Sequence, residues 1–194
     1  MVEKATSSYH HGDLPATMVR SAMDMLDEDG RAELSVRAVA RRAGVSSAAP
    51  YRHFPDRLSL LSAIAAVGYQ ELMTDLASRH PEPGTADELA ELAVGYVEFA
   101  LARPGLFRVM FAEGCDRTSA DRVAAVEAIH AYLGQAVGRI FDTDDSAALA
   151  TGLWSVVHGL AFLHLDGKLD TASDIDVKER VRQTITALVS ARLA

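Results

Sequence analysis

The 194-residue chain has one cysteine, Cys115, one tryptophan, Trp154, and an aromatic content of only 6%. A lone thiol excludes an internal disulfide framework and suits a reducing compartment. No unbroken apolar run approaches the roughly 18 residues of a membrane span. The opening stretch MVEKATSSYHHGDL lacks the apolar stretch of a secretory signal. Strand signals are missing too: there is no sustained two-residue alternation and no Asn-Gly hairpin. No Gly-x-Ser-x-Gly elbow, phosphate-binding loop or His-Glu-x-x-His pair occurs, so nothing supports catalysis. The histidines are scattered without the spacing of a zinc site. The expectation is a soluble cytoplasmic protein, not an enzyme, with no metal, no cofactor and no membrane partner.

An excess of positive charge is also missing, since 19 Lys and Arg stand against 27 Asp and Glu for a net charge of −8. The deficit is uneven. Residues 1–60 hold eight basic and eight acidic residues, so the whole net charge lies in the remainder. Within 31–60, six arginines face only Glu33 and Asp56. A local basic patch of this kind can hold phosphates while the remaining surface repels them.

What is there is helix. Apolar residues recur at helical spacing from Asp13 to Asp29, with Gly30 as the stop. Short helices are expected at Val36–Ala43 and between Ser47 and Phe54, then a long one from Pro55-Asp56 to about Arg79. Further helices are expected at Ala86–Ala102, Pro104–Phe111, Ser119–Phe141, Ser146–Leu165 and from Asp174 or Asp176 to the end. The fold class is therefore all-α, with about nine helices.

The second and third helices are joined by Gly44-Val45-Ser46, a helix-turn-helix arrangement in which glycine can adopt positive φ. Val39, Ala40 and Ala43 would pack inward with Val45 and either Tyr51 or Phe54. Pro50 fits a helix only near its start, which makes Ser47 the expected N-cap. The first turn then presents Ser47, Ala48 and Ala49, small enough for close approach to a groove, and Arg52 and His53 follow as long donors.

The segment LSVRAVARRAGVSSAAPYRHFPDRLSLLSAI (34–64) closely resembles the DNA-binding domain of TetR-family transcriptional regulators, and YHHGDLPATMVRSAMDMLDEDG (9–30) resembles that family's first helix. Tyr51, His53, Phe54, Arg57 and Leu58 match the family pattern. The resemblance implies a DNA-binding domain over 1–56 and an effector-binding and dimerisation domain over 57–194. It further implies that Ser35 caps the second helix on a phosphate and that Arg37 enters the major groove. Ser47 and Arg52 would address bases, and Tyr51, His53 and Arg57 would grip the backbone; Ala48, small and in the first turn, is a candidate for contact with a thymine methyl. Pro50 stands where leucine is commoner in the family, and alanine stands at 48 and 49.

ARPGLFRVMF (102–111) and LWSVVHGL (153–160) resemble the regulatory half of a subgroup marked by Trp, His and Gly. Tyr96, Phe99, Phe107, Met110, Phe111, Trp154, His158 and Phe162 are candidates to line an apolar effector cavity; an ordinary packed core is the alternative for each. His158-Gly159 suggests a close helix crossing with a hydrogen-bonded imidazole. The last two helices offer Leu149, Leu153, Val156 and Leu160 on one and Val181, Ile185 and Leu188 on the other, the candidate interface of a homodimer. The function implied is a repressor released from a palindromic double-stranded operator by a small apolar effector. A helical protein-interaction module with a non-DNA-binding helix-turn-helix is the alternative.

Overall fold

The computed structural model describes residues 13–193 except 31, 112, 113, 115 and 117; the expectations touching residues 9–12 and Cys115 lie outside the described residues. It contains eight α-helices and one short 3-10 helix, with no strand among the described residues. The order is α1 Leu14–Glu28, α2 Val36–Arg42, the 3-10 helix Ala49–Arg52, α3 Arg57–Arg79, α4 Ala86–Ala102, α5 Pro104–Phe111, α6 Ala120–Ile140, α7 Ser146–Leu165 and α8 Asp174–Leu193.

Local chemistry sets most of these ends. The Asp13 carboxylate accepts from the Ala16 N–H at 3.1 Å and opens α1, and Ser35 Oγ does the same for α2 through Ala38 at the same distance. Asp56 with Ser59 and Thr85 with Glu88 form reciprocal capping boxes at the starts of α3 and α4. α2 closes on Gly44 at φ 68°, where the Gly44 N–H reaches the Arg41 carbonyl and the Val45 N–H reaches that of Ala40. That pair of bonds is a Schellman closure. It turns the chain without leaving the last carbonyls of α2 bare.

The 3-10 helix departs from expectation. Proline has no N–H to donate and pushes the residue before it away from α geometry, so the segment around Pro50 tightens into four residues. The His53 and Phe54 amides both turn back to the Pro50 carbonyl, at 2.9 and 2.8 Å. The N-cap is Ala48, not Ser47, and the side-chain oxygen that receives the Ala49 N–H is that of Ser46, at 3.3 Å.

α1, α2 and the 3-10 helix pack together and against the start of α3. From there α3 lies along α5 and α6, while α4 packs on α7 and α8. Met18, Leu34, Val39, Leu60, Leu61, Ile64, Leu106 and Phe107 are completely or almost completely enclosed, so one core runs through both ends of the molecule. α5 meets α1 by bare backbone: a Cβ on Gly105 would lie 3.0 Å from the Cα and the carbonyl oxygen of Gly30. Arg103, just before α5, ties the same corner to Asp27 of α1 and Glu71 of α3.

Candidate nucleic-acid interface and regulatory cavity

The turn that Gly44 makes possible places the 3-10 helix on the outside of the molecule. Ser35, Arg37, Ser47, Ala48, Tyr51, Arg52, His53 and Arg57 are all exposed. The pair left open by the sequence is resolved, since Phe54 is 5% exposed and fills the small core while Tyr51 is 40% exposed. Arg37, Arg41 and Arg52 make no ion pair among the described residues, whereas Arg42 is neutralised by Glu28. Arg57 is partly committed within the subunit: its Nε donates to the Leu34 carbonyl at 2.9 Å and pins the start of α3 to the loop before α2.

The C-terminal half contains a cavity of about 290 Å³, near the small end of the roughly 300–1,000 Å³ typical of ligand pockets. Tyr96, Met110, Phe111 and Trp154 line it, as the aromatic pattern suggested. Phe99, Phe107, His158 and Phe162 do not. Phe107 is 0% exposed and belongs to the packed core, where it meets Tyr96 edge-on. Phe162 stacks behind it with ring centroids 5.6 Å apart, and Phe99 packs at the core's margin.

His158 stands behind the cavity wall and orders it. The Trp154 indole N–H donates to the Tyr96 hydroxyl at 3.3 Å, and that hydroxyl is 2.9 Å from His158 Nδ1. The phenol oxygen accepts from Trp154 and either donates to a bare Nδ1 or accepts from a protonated one through its second lone pair, and both arrangements suit a neutral imidazole. Burial acts in the same direction, lowering the His158 pKa and raising that of the Tyr96 phenol. The imidazole is hydrogen-bonded as expected. The close helix crossing is not present, because a Cβ on Gly159 would meet nothing within 4 Å.

The rest of the lining went unforeseen. α3 contributes Tyr69 and Leu76, and α6 contributes Arg122, Val126, Ile129, His130, Tyr132 and Leu133. Arg122, Val126, Ile129 and Leu133 recur at helical spacing, an inward stripe with an arginine at its head, and that was the available signal.

The candidate dimer surface is also redrawn. Leu153, Val181 and Ile185 are buried inside the subunit, Leu153 and Ile185 in the cavity wall. Leu149, Val156 and Leu160 are half-buried, and Leu188 is exposed. α7 sits on α4 and α8 on the same helix, so the richest stripe of each turns inward. α7 leaves Ala147, Ala148, Thr151, Gly152, Ser155 and Leu163 exposed, with Val156 and Gly159 half-buried on the same side. Of its 20 residues only Ala150, Leu153, Val157, Ala161 and His164 are buried. Although interrupted by Thr, Gly, Ser and His, α7 is long and apolar enough to cross a membrane by length and composition. The sequence reading, which looked for an unbroken run, missed that. An apolar helix lying mostly outside one subunit's core is equally the mark of a subunit contact.

Comparison with known proteins follows this division. The model for the N-terminal domain of bacterial regulatory proteins of the tetR family matches residues 19–64, and the Tetracyclin repressor-like C-terminal domain model matches 89–188. The chain is 35% identical over 81 residues to the Tetracycline repressor protein class A from transposon 1721 of Escherichia coli, covering 42% of this chain and 35% of that one. It is 31% identical over 84 residues to the Nucleoid occlusion factor SlmA of Actinobacillus pleuropneumoniae serotype 5b, covering 43% and 42%. The chain thus spans well under half the length of these curated relatives. A solved structure of a protein of unknown function from Rhodococcus sp. RHA1 superposes with a TM-score of 0.76 at 32% identity, over 94% of this chain and 98% of that one.

Proposed function

We propose, for a chain that belongs to the tetR family of bacterial regulatory proteins, that it is a DNA-binding transcriptional regulator working as a symmetric dimer on a palindromic operator. The observation that carries this reading is the outward face of the helix-turn-helix. On a protein of net charge −8, three arginines there, Arg37, Arg41 and Arg52, have no carboxylate partner among the described residues. An acidic chain that leaves cations uncompensated on one small face offers that face to phosphates and base edges. Ser47 and Ala48 keep the leading edge of the 3-10 turn narrow enough for a major groove, and Arg52 suits guanine. Tyr51, His53 and Arg57 flank it as backbone contacts, with Ser35 at the head of α2.

The division of labour is a DNA-binding unit over 1–56 and a regulatory unit over 57–194. The outward faces of α7 and α8 supply the twofold contact, through Val156, Leu160, Leu163 and Leu188. Two copies then present their 3-10 turns to half-sites one helical turn apart, roughly 34–36 Å.

A small apolar effector in the cavity acts as the release signal. Tyr69 on α3 and Met110 and Phe111 on α5 touch that cavity, and both helices reach the DNA-binding unit, α3 through Arg57 and Leu34, α5 through Gly105 and Gly30. An effector that fits only one setting of α3 and α5 shifts the population toward a spacing that no longer matches two successive grooves. The protein is accordingly a cytoplasmic repressor, and nothing in this reading calls for catalysis.

Binding of the purified protein to DNA upstream of its own gene and its neighbours, measured as a function of salt, tests the reading. Binding that weakens steeply with salt is expected. Arg37→Ala and Arg52→Ala should each cost about 1–3 kcal/mol of operator affinity with unchanged thermal stability. Salt-insensitive binding, or full affinity in both variants, rejects it.

A further inference from the structure

The cavity is oily but carries one fixed charge. Among the described residues that line it none is Asp or Glu, and Arg122 is the only Lys or Arg. Elsewhere in the regulatory half the described arginines find acceptors: Arg79 pairs with Asp75 and Glu98, Arg103 with Asp27 and Glu71, Arg108 with Asp166 and Arg182 with Glu91 and Glu179, while Arg139 and Arg180 donate to the Pro83 and Asp170 carbonyls. Arg122 has no ion pair among the described residues. Its Nε is buried without a hydrogen-bond acceptor, and its guanidinium sits over the Tyr69 ring, 6.0 Å from the centroid. A buried donor left unmade is costly, and in a chain with surplus carboxylates its partner could easily have been built in.

We infer that the effector is an apolar molecule bearing a single carboxylate, and that Arg122 is its specificity-determining contact. This rests on the reading of the cavity as an effector site. The ligand's apolar body lies among Tyr96, Phe111 and Trp154, and its carboxylate turns to the head of α6. Arginine's planar fork meets a carboxylate with two parallel hydrogen bonds, and a modest rotation of the side chain brings Nε into that fork. The described lining holds no Asp or Glu to recruit a cationic ligand, and an uncharged one would leave the guanidinium unmatched.

Trp154 is the chain's one tryptophan and lies in the cavity wall, so its emission reports occupancy directly. Hydrocinnamate and hydrocinnamyl alcohol, which share an aromatic body and differ in the charged end, are titrated against the full-length protein. The acid should bind about tenfold or more tightly than the alcohol. Arg122→Gln should remove that preference by weakening the acid alone, and Arg122→Lys should keep part of it. Helicity and thermal unfolding establish that the variants fold, and the lysine variant carries the test if the glutamine one does not. Equal binding of acid and alcohol to the unaltered protein overturns the charge assignment while leaving the cavity reading standing, and so does undiminished acid binding by Arg122→Gln. Saturation by neither probe overturns both.

Discussion

The helix-turn-helix face and the regulatory half handle positive charge in opposite ways. On the face, Arg37, Arg41 and Arg52 stand in solvent without carboxylate partners among the described residues. In the regulatory half many cations are laced to acidic neighbours, as Lys178 and Arg79 are to Glu98, and Arg139 is held by the Pro83 carbonyl. Surface pairs contribute little to stability individually, so what they chiefly do there is cancel charge and leave a surface that repels DNA. Net charge alone therefore misleads for this molecule; which cations are left uncompensated is informative. By that measure Arg122 resembles the arginines of the helix-turn-helix face more than its own neighbours, with the difference that it lines a cavity.

The two regions should also separate energetically. Phe107→Ala is expected to have the largest effect, because the ring is wholly enclosed and packs on Tyr96, Phe111 and Phe162. About 3–5 kcal/mol of unfolding free energy should be lost in a urea titration. The arginine face makes no contact with that ring, so protein that remains folded should keep its DNA affinity. A matching loss of affinity per folded molecule would show that the regions are not separable.

A smaller effect on stability and a larger one on DNA binding is expected from Leu163→Asp combined with Leu188→Asp. Both leucines are exposed, at 44% and 42%, so a single subunit loses little by the change. If they lie at the twofold contact, sedimentation should report a monomer. Operator affinity should then fall by roughly 10²–10⁴ as the second half-site stops being an intramolecular event. Val181 and Ile185 define the contrast: buried in their own subunit, they should unfold the chain when made charged, before any effect on assembly could be read.

That contrast marks how far the sequence could be read. Turn chemistry at Gly44, capping at Asp13, Ser35 and Asp56, and the outward arginines are local, and the sequence carries them within a residue or two. Pro50 was recognised as a constraint, yet its consequence, a tightened 3-10 turn capped through Ser46, depends on where the neighbouring amides find carbonyls. The partition of α7 and α8 into inward and outward faces was out of reach for a different reason. α7 carries apolar residues around much of its circumference, whereas α8 has one clear stripe, Val177, Val181, Ile185 and Val189; periodicity cannot say which face of α7 α4 covers, nor whether the α8 stripe meets its own subunit or a second one. Hence Leu153 and Ile185 fall in the cavity wall, and glycine and serine share the outer face with Val156 and Leu163. The α6 lining was legible in principle, but an arginine at the head of an apolar stripe reads as a surface residue until the opposite wall is in view.

The smallest expected effect distinguishes the halves by pH. The regulatory half buries one imidazole, His164, and half-buries another, His158, whereas the arginine face buries none among the described residues. Desolvation lowers the pKa of His158; at His164, which is 2% exposed, desolvation lowers it first and Arg180 adds to the effect, with the backbone at Asp170 and Leu169 partly offsetting both. Each folded pKa therefore lies below the unfolded value of about 6.5. As pH falls past that value the unfolded chain takes up protons that the native state refuses, so stability is complete above pH ~6.5 and declines as the folded pKa values are approached. Glu98 titrates in a separate window: burial alone would raise its pKa, but Lys178 and Arg79 hold it below the usual value, so its contribution is lost only at more acidic pH. Thermal midpoints should fall between pH 8 and pH 5, and His164→Leu should flatten that fall while leaving the further drop at more acidic pH, where Glu98 is protonated, in place. An unchanged slope in His164→Leu would assign the pH dependence to other groups and remove this difference between the two halves.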